Sequence, residues 1–295
     1  MKRLRIMGRS NLAGYMFILP LLAVFSVFML YSFYFVLRTS FFKVNITFLK
    51  PSFVGLANYA IALGDQKFFL ALLNSFLLSA VSIFFGLTLG FLVAVLLRFK
   101  LRGRGIFHSL FFVPSMLPMA FIAVIFGTLL EYNDGLLNNM ARFLDLKFLD
   151  QRWLSNPRLA LASVSAVSIY LIGIPIMYYT AELATLNNSV FEAAIVDGAS
   201  FRQILFLVLY PILKNTHMTI ALSLLLGGFR EMERVYLMTD GGPGGATEII
   251  STYIFRNSRS AGANLGFVAA ISVLTLLLAF VITIAQQRVN RRMRR

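Results

Sequence analysis

The amino-acid sequence predicts an all-α, polytopic membrane protein with six transmembrane helices. Of its 295 residues, 59% are hydrophobic and only 13% are charged, whereas a soluble domain usually has about 45–50% apolar and about 25% charged residues. A water-soluble fold cannot bury that much apolar surface, so lipid must be the solvent for most of the chain. The uncharged residues are also gathered into long runs, which is typical of membrane spans.

A membrane-spanning helix needs about 20 apolar residues to cross roughly 30 Å of hydrocarbon. Five uncharged runs are long enough, namely 10–37, 68–97, 105–130, 159–181 and 260–287. A sixth run, 215–229, reaches spanning length only if its helix continues through residues 230–234 toward Met238. The first run is longer than the roughly 7–15 apolar residues of a signal peptide and has no small-residue cleavage site. We therefore expect an uncleaved first span.

The net charge of +15 does not indicate a nucleic-acid partner, because the basic residues form separate clusters beside the uncharged runs. Such clusters orient membrane proteins and contact anionic headgroups. The densest clusters are Lys2, Arg3, Arg5 and Arg9; Arg98, Lys100, Arg102 and Arg104; and Arg288, Arg291, Arg292, Arg294 and Arg295. With six spans they fall on one side, so both termini are predicted to be cytoplasmic, in a bacterial-type inner membrane.

Two features of the spans predict helix geometry. Gly86 and Gly90 form a G-x-x-x-G pattern that lets two helices approach closely, although glycine is also simply common in membrane helices. Pro114 and Pro118 lie four residues apart in the third run and predict a bend there.

The loop between the fourth and fifth runs predicts a short capped helix. Ser189 and Glu192 have the spacing of a capping box, and Gly198 suits a left-handed C-terminal cap. A helix of two to three turns is unstable alone in water and needs a surface to pack on. Phe191 and Ile195 are expected to form an apolar ridge on it. The helix is suited either to a groove in a partner protein or to the membrane surface.

This loop carries a specific resemblance. The sequence from Glu192 to Ser200, EAAIVDGAS, followed by Leu-Tyr-Pro-Ile at 209–212, resembles the EAA loop of binding-protein-dependent ABC importer permeases. Tyr210 replaces the usual leucine before Pro211. The resemblance implies a type I ABC importer permease fold, in which this loop docks in a cleft of an ATP-hydrolysing subunit. The ATPase-coupling residues it implies are Glu192, Ala193, Ala194, Asp197, Gly198 and Ala199.

Three further segments resemble sugar-importer permeases of the maltose and glycerol-phosphate type. They are residues 55–59 with Asn74 and Ser75, residues 133–138, and residues 235–247. The resemblance implies a sugar or oligosaccharide as solute. It also implies three kinds of protein partner: a second, related permease; two ATP-binding cassette subunits; and an external solute-binding protein. The chain itself is expected to bind no cofactor, with ATP and Mg on the ATPase.

Charged residues at the outer end of the fifth run are candidates for the solute path. Ionisable groups at membrane depth usually face a cavity, and the residues concerned are Arg230, Glu231, Glu233 and Tyr236. Pairing of Arg230 with Glu233, and of Glu231 with Arg234, is expected at helical i, i+3 spacing. Alternatively, the span ends early and these residues begin a solvated loop. The glycine-rich stretch after them, with Gly241, Gly242 and Pro243, is predicted to be a tight external turn.

The predicted organisation has three parts. Residues 1–66 hold the N-terminal arm, the first span and an external loop; residues 67–288 hold the permease core, with the coupling loop at 186–214; and residues 289–295 form a basic cytoplasmic tail. His108 and His217 are isolated in the sequence and are expected to be structural rather than metal ligands.

Two other functions remain open from the residues alone. A membrane transferase needs paired carboxylates or a metal cluster, for which Glu131 and Asp134 are the nearest candidates. We find no supported nucleophile–base arrangement and predict no catalytic residues. A secondary transporter is the other alternative, although the chain has no evident inverted repeat of broken spans.

Overall fold

The structure, a computed structural model, describes residues 2–48, 50–98 and 104–293. The described chain is predominantly helical with one short pair of strands, which confirms the predicted all-α class. In chain order the α-helices are α1 (Lys2–Phe25), α2 (Tyr31–Thr39), α3 (Ala57–Gly64), α4 (Gln66–Arg98), α5 (Arg104–Met116), α6 (Met119–Leu129), α7 (Leu136–Phe143), α8 (Ala160–Ala166), α9 (Gly173–Thr185), α10 (Asn188–Val196), α11 (Phe201–Gln203), α12 (Tyr210–Ile212), α13 (Lys214–Gly228), α14 (Met232–Thr239), α15 (Ile250–Arg259) and α16 (Leu265–Met293).

Shorter elements join these helices. A π-helical turn, Ser26–Leu30, connects α1 to α2; a 3₁₀ turn, Val167–Ile169, follows α8; and a second π-helical turn, Ile204–Leu209, connects α11 to α12. Strands β1 (Phe42–Lys43) and β2 (Ser52–Phe53) pair antiparallel, with Phe42 opposite Phe53.

The helices account for the six predicted spans. Four are long and apolar enough to cross a membrane: Gly14–Thr39, Gln66–Arg98, Ala160–Thr185 and Leu265–Val289. Two further pairs qualify if each bent pair is one span, namely Gly105–Met116 with Met119–Leu129 and Phe201–Ile212 with Lys214–Gly228. The first pair is bent by more than 40° where Pro118 precedes α6, which confirms the predicted bend.

The expected extension of the fifth span was wrong. Helix α13 ends at Gly228, and a separate helix, α14, begins at Met232. The extra apolar length lies on the N-terminal side instead, in the helical stretch Phe201–Ile212. Because Phe229–Glu231 break the helix, the charged segment starts a new element rather than ending a span.

The chain divides into two compact units. One combines the described residues of Met1–Asp65 and Asn257–Leu277. Its centre is Asn58, which is 1% exposed and donates to the carbonyls of Ser40 at 2.8 Å and Phe42 at 2.9 Å. Asn264 in turn donates to the Asn58 carbonyl at 3.0 Å. These bonds explain why an asparagine stands at this position of the Gly-Leu-Ala-Asn-Tyr segment.

In the same unit, the first span presents apolar side chains outward. Phe17 is 87% exposed, and Leu21 and Phe28 are mostly exposed as well. Contiguous apolar surface of this extent is costly in water and matches a helix that faces lipid. The side chains of residues 2–13 lie outside the described residues, as do Lys100, Arg102, Arg294 and Arg295.

The second unit combines Gln66–Arg256 with the described residues of Leu278–Arg295. Its centre is α4, where the glycine pair contacts two helices. A Cβ atom at Gly86 would lie 2.6 Å from Leu224 of α13, and one at Gly90 would lie 2.8 Å from Pro175 of α9. Both separations are too short for a side chain, so the close helix approach predicted from G-x-x-x-G is confirmed.

Candidate functional site

The predicted coupling loop contains helix α10, Asn188–Val196. The expected capping box of Ser189 and Glu192 was wrong, because Ser189 already lies inside the helix. Asn187 is the N-cap: its backbone is extended, and its side-chain oxygen accepts the Ser189 amide at 3.1 Å. A capping box occurs instead at the start of α11, where Ser200 and Gln203 bond each other's backbone amides. Glu192 is therefore not needed to cap its own helix.

The C-terminal end of α10 is closed by Gly198, as predicted. Gly198 has φ +76°, the left-handed region that favours glycine. The Ala199 amide bonds the Ala194 carbonyl at 3.0 Å, and the Gly198 amide bonds the Ile195 carbonyl at 3.0 Å. This is the Schellman motif, which satisfies carbonyls that the helix leaves free. It ends the helix at its C-cap, Asp197.

The two faces of α10 differ in what they contact. Phe191 and Ala194 are half-buried and pack against the apolar core of the unit. Glu192 and Ala193 are exposed, and Ile195 is 63% exposed. Phe191 and Ile195 thus do not form one ridge as expected, because Phe191 is used to hold α10 to its own chain. The remaining face is small, partly apolar and acidic.

Arg98, at the end of α4, holds this region in place. Its guanidinium donates to the carbonyls of Leu183 and Leu186, the latter at 3.4 Å. The guanidinium carbon also lies 4.1 Å from the centre of the Phe191 ring, within the range of a cation–π contact. Sequence reasoning placed Arg98 in a basic cluster and missed this role, since no local pattern links Arg98 to residues 85–93 positions away.

Beneath α10 the core contains a buried histidine. His217 is 7% exposed; its Nδ1 lies 2.5 Å from the Tyr179 hydroxyl and its Nε2 lies 3.0 Å from the Tyr210 carbonyl oxygen. Phe91 meets the His217 ring edge-on, with 5.7 Å between centroids. Both ring nitrogens thus have protein partners, which supports the predicted structural role for His217. The side chain of His108 lies outside the described residues.

The candidate solute-path residues surround the break between α13 and α14. Arg230, Glu233 and Tyr236 are exposed, whereas Glu231 is half-buried. Glu231 forms the predicted ion pair with Arg234. In the part of the chain that the structure describes, the other predicted pair, Arg230 with Glu233, is not formed. A continuous helix would have aligned those two residues, but α14 starts only at Met232.

Arg234 is fully buried, which the sequence analysis did not anticipate. It bonds Glu231 and also donates to the Ser168 hydroxyl at 2.9 Å, and Ser168 lies 2.8 Å from the Ser82 hydroxyl. A buried charge is costly unless it is paired and hydrogen-bonded. Arg234 thus ties the start of α14 to α4 and to the turn after α8.

The glycine loop, residues 240–248, is a compact turn. Gly241 has φ +75°, and a Cβ atom there would lie 2.8 Å from Arg256. The Thr247 hydroxyl donates to the Gly242 carbonyl at 2.7 Å, and the Ala246 amide donates to the Pro243 carbonyl at 3.0 Å. The positive φ explains why glycine is favoured at position 241. The two hydrogen bonds agree with the expected tight turn.

The carboxylate pair considered for an enzyme is used structurally. Glu131 accepts the Asp134 amide at 2.6 Å. Hydrogen bonds from several backbone amides lower the pKa of the Glu131 carboxyl, and the bond from Asp134 contributes most. A general acid at neutral pH needs a raised pKa, so the shift is opposite to the one a catalytic acid requires.

Nearby, Asn138 organises the segment that resembles the sugar-importer loop. It is fully buried, donates to the carbonyls of Tyr132 at 3.1 Å and Gln151 at 2.9 Å, and accepts the Trp153 indole N–H at 2.9 Å. The asparagine in this motif is therefore explained by loop architecture.

Together, the helical spans, the capped loop helix and the glycine loop define a multi-pass membrane permease. Comparison with known proteins identifies its family. Residues 86–295 match the binding-protein-dependent transport system inner membrane component family, and the chain belongs to that family. Its members are transport components of ABC transporters, so the chain is a permease subunit rather than an enzyme.

Individual relatives are similar over nearly their whole length. A probable ABC transporter permease protein of Bacillus subtilis is 28% identical over 286 residues, covering 96% of this chain and 97% of the relative. A trehalose/maltose transport system permease protein of Thermococcus litoralis is 30% identical over 289 residues, covering 96% and 95%. Among solved structures, a bacterial ABC transporter involved in the import of alginate has a chain with the same fold. The TM-score is 0.85 and the identity 21%, with 99% of this chain and 100% of that chain covered.

Proposed function

We propose that this chain forms half of the pore of an ATP-driven importer for a sugar or oligosaccharide, and that helix α10 couples it to a cytoplasmic ATPase. The observation that carries the proposal is α10 itself. It is a nine-residue helix closed by Asn187 and Gly198, held to its own core by Phe191, with a small and acidic face left open. Such a helix is suited to a partner's groove.

The open part of the proposed contact surface on α10 and the turn after it consists of Glu192, Ala193, Asp197 and Gly198, whereas Ala194 and Ala199 are half-buried and support it from the core side. The alanines allow close approach, and the two carboxylates can meet basic groups on the ATPase. Movement of the ATPase dimer on ATP binding would then shift α10 and rock the spans, giving alternating access. ATP and Mg would bind on the ATPase, and this chain would hold no cofactor of its own.

The solute path is proposed at Arg230, Glu231, Glu233 and Tyr236. Exposed guanidinium, carboxylate and phenol groups are those that hydrogen-bond and stack on sugars. Glu231 is already engaged by Arg234, so its role is to orient the segment as well as to meet solute. The helix break at Phe229–Glu231 resembles the interrupted helices at which transporters bind their solutes.

The solute class follows from the relatives. A permease for trehalose and maltose is 30% identical over almost the whole chain, and the alginate importer also carries a saccharide. We infer a sugar or oligosaccharide for this chain. Its partners would be a second, related permease, two ATP-binding cassette subunits and an external solute-binding protein that contacts the turn at Gly241, Gly242 and Pro243.

The orientation is proposed from charge. The clusters beside the spans put both termini and the coupling loop, 186–214, on the cytoplasmic side of the inner membrane. The division into an N-terminal part (1–66), a permease core (67–288) and a basic tail (289–295) stays a prediction.

The test is transport by the reconstituted complex. Proteoliposomes holding the permease pair and ATPase should take up a radiolabelled sugar only with ATP and loaded binding protein. Glu192→Lys should lower stimulated ATP hydrolysis or ATPase association, whereas Glu182→Lys, which reverses another exposed carboxylate on the neighbouring α9, should not. Uptake without the ATPase would indicate a secondary transporter. Normal stimulation and assembly in Glu192→Lys would contradict the coupling role of α10.

A further inference from the structure

Helix α4 contacts both the glycine loop and α10. It is a single helix of 33 residues, Gln66–Arg98, and contains no proline. Proline is the commonest cause of a sharp helix kink, so α4 has no such weak point. Near one end lie Asn74 and Ser75, and at the other end lies Arg98.

At the first end, α4 holds the glycine loop through two hydrogen bonds and the start of α15 through a third. The Asn74 side-chain amide donates to the carbonyls of Ala246 at 3.2 Å and Glu248 at 2.9 Å. The Ser75 hydroxyl accepts the backbone amide of Ile250 at 2.9 Å. Asn74 is 3% exposed and Ser75 is fully buried. Bonds to buried backbone groups are expensive to break, so the loop is fixed to the helix.

At the other end, α4 holds α10 through Arg98. The guanidinium bonds the carbonyls of Leu183 and Leu186, which end α9, and lies over the Phe191 ring of α10. A planar guanidinium can donate hydrogen bonds in its plane while its face lies on a ring, whereas a lysine ammonium has no planar face to stack.

We propose that α4 is a rigid link that transmits engagement of the glycine loop to α10, with Asn74 and Arg98 as its two positioning residues. They are 24 residues apart, or about 36 Å along the helix at 1.5 Å per residue. The close packing of Gly86 and Gly90 against α13 and α9 would restrict sliding of α4 along these helices. This inference rests on the proposed function, since it assumes that the loop meets the binding protein and α10 meets the ATPase.

The test measures ATP hydrolysis by the full complex in nanodiscs, with and without loaded binding protein. Asn74→Leu weakens the contact of α4 with the glycine loop, and Arg98→Lys and Phe191→Leu each weaken its contact with α10. We expect each to assemble with the ATPase yet to lower the ratio of stimulated to basal hydrolysis by about fivefold or more, the scale of ordinary coupling between sites. Phe191→Tyr keeps the ring and should keep the ratio. Thr88→Val is a control on the same helix, because Thr88 is exposed and, among the described residues, its hydroxyl bonds only the α4 backbone, at Phe84.

A double variant separates a link from two local defects. If Asn74 and Arg98 act in series, Asn74→Leu with Phe191→Leu should lower the ratio no further than either change alone; independent damage would add. Because Phe191→Leu keeps an apolar side chain, it carries the test even if Asn74→Leu destabilises the protein. If the wild-type complex is stimulated and the Phe191→Leu variant keeps the same ratio of stimulated to basal hydrolysis, the proposed link is wrong but the proposed function stands. A wild type that shows no stimulation at all would overturn the proposed function and the link with it.

Discussion

Arg234, which is fully buried, forms an ion pair with Glu231, the residue just before α14. Removing Arg234 leaves Glu231 unpaired, and because Glu231 is half-buried the cost should be smaller than the about 3–5 kcal/mol typical of a fully buried pair. We therefore expect Arg234→Gln to lower the unfolding temperature of the purified permease. Arg230→Gln, at an exposed position, is the matched control and should leave it nearly unchanged. Equal unfolding temperatures in thermal scans would show that the buried pair contributes nothing.

Close packing at Gly90 gives a second prediction. Gly90→Val would place a Cβ atom 2.8 Å from Pro175, and overpacking of this kind costs about 1–3 kcal/mol. Gly127→Val is the control, because among the described residues no atom of another element lies within 4 Å of a Cβ at Gly127. The measurement is thermal unfolding in detergent. A loss of stability in the Gly127 variant equal to that in the Gly90 variant would contradict the assigned contact.

The helix cap at Gly198 gives a third prediction. A Cβ atom there meets no neighbour within 4 Å, so only the backbone conformation opposes substitution. A left-handed conformation costs an ordinary residue roughly 1–2 kcal/mol, and more for a β-branched one. Gly198→Val should therefore weaken ATPase association in a pull-down while leaving membrane insertion intact. Gly198→Asn should be close to wild type, because asparagine tolerates this conformation; equal loss in both variants would point to a lost contact instead of a lost cap.

The solute-path assignment is tested separately from coupling. Arg230→Gln and Glu233→Gln remove charge at exposed positions, so the fold should be retained. We expect the half-saturating solute concentration for uptake to rise about tenfold or the sugar preference to change, with ATPase association intact; one lost hydrogen bond to a charged group is worth about 1.5–3 kcal/mol. Uptake assays with a panel of sugars provide the measurement. Loss of ATPase binding in either variant would undo the division between a solute-facing and a coupling region.

The sequence predicted what depends on local pattern. Apolar run length predicted the spans, and the positive-φ requirement after a short helix predicted the cap at Gly198. Prediction from the sequence was wrong where the local structure depends on contacts between residues far apart in the chain. The run 215–229 left open whether the span would end early; in the structure the helix ends at Gly228, and Arg234 beyond it bonds Ser168, 66 positions away in the chain.

The functional residues divide in the same way. The short helix of the loop was predicted correctly, but the N-cap was assigned to Ser189 because capping-box spacing alone does not distinguish it from Asn187. Arg98 and Asn74 escaped notice as contact residues, since their partners lie 85–93 and 172–174 positions away in the chain. Only the folded chain brings such residues together.

Docking of α10 on the ATPase can be tested by one cross-linking measurement. The chain contains no cysteine, so Ala193→Cys places a single thiol on the exposed face of α10. Labelled with maleimide-benzophenone and irradiated in the assembled complex, it should cross-link the permease to the ATPase. Ser155→Cys, an exposed site in a predicted external loop, should not. Cross-linking of the ATPase from Ser155→Cys but not from Ala193→Cys would contradict the account.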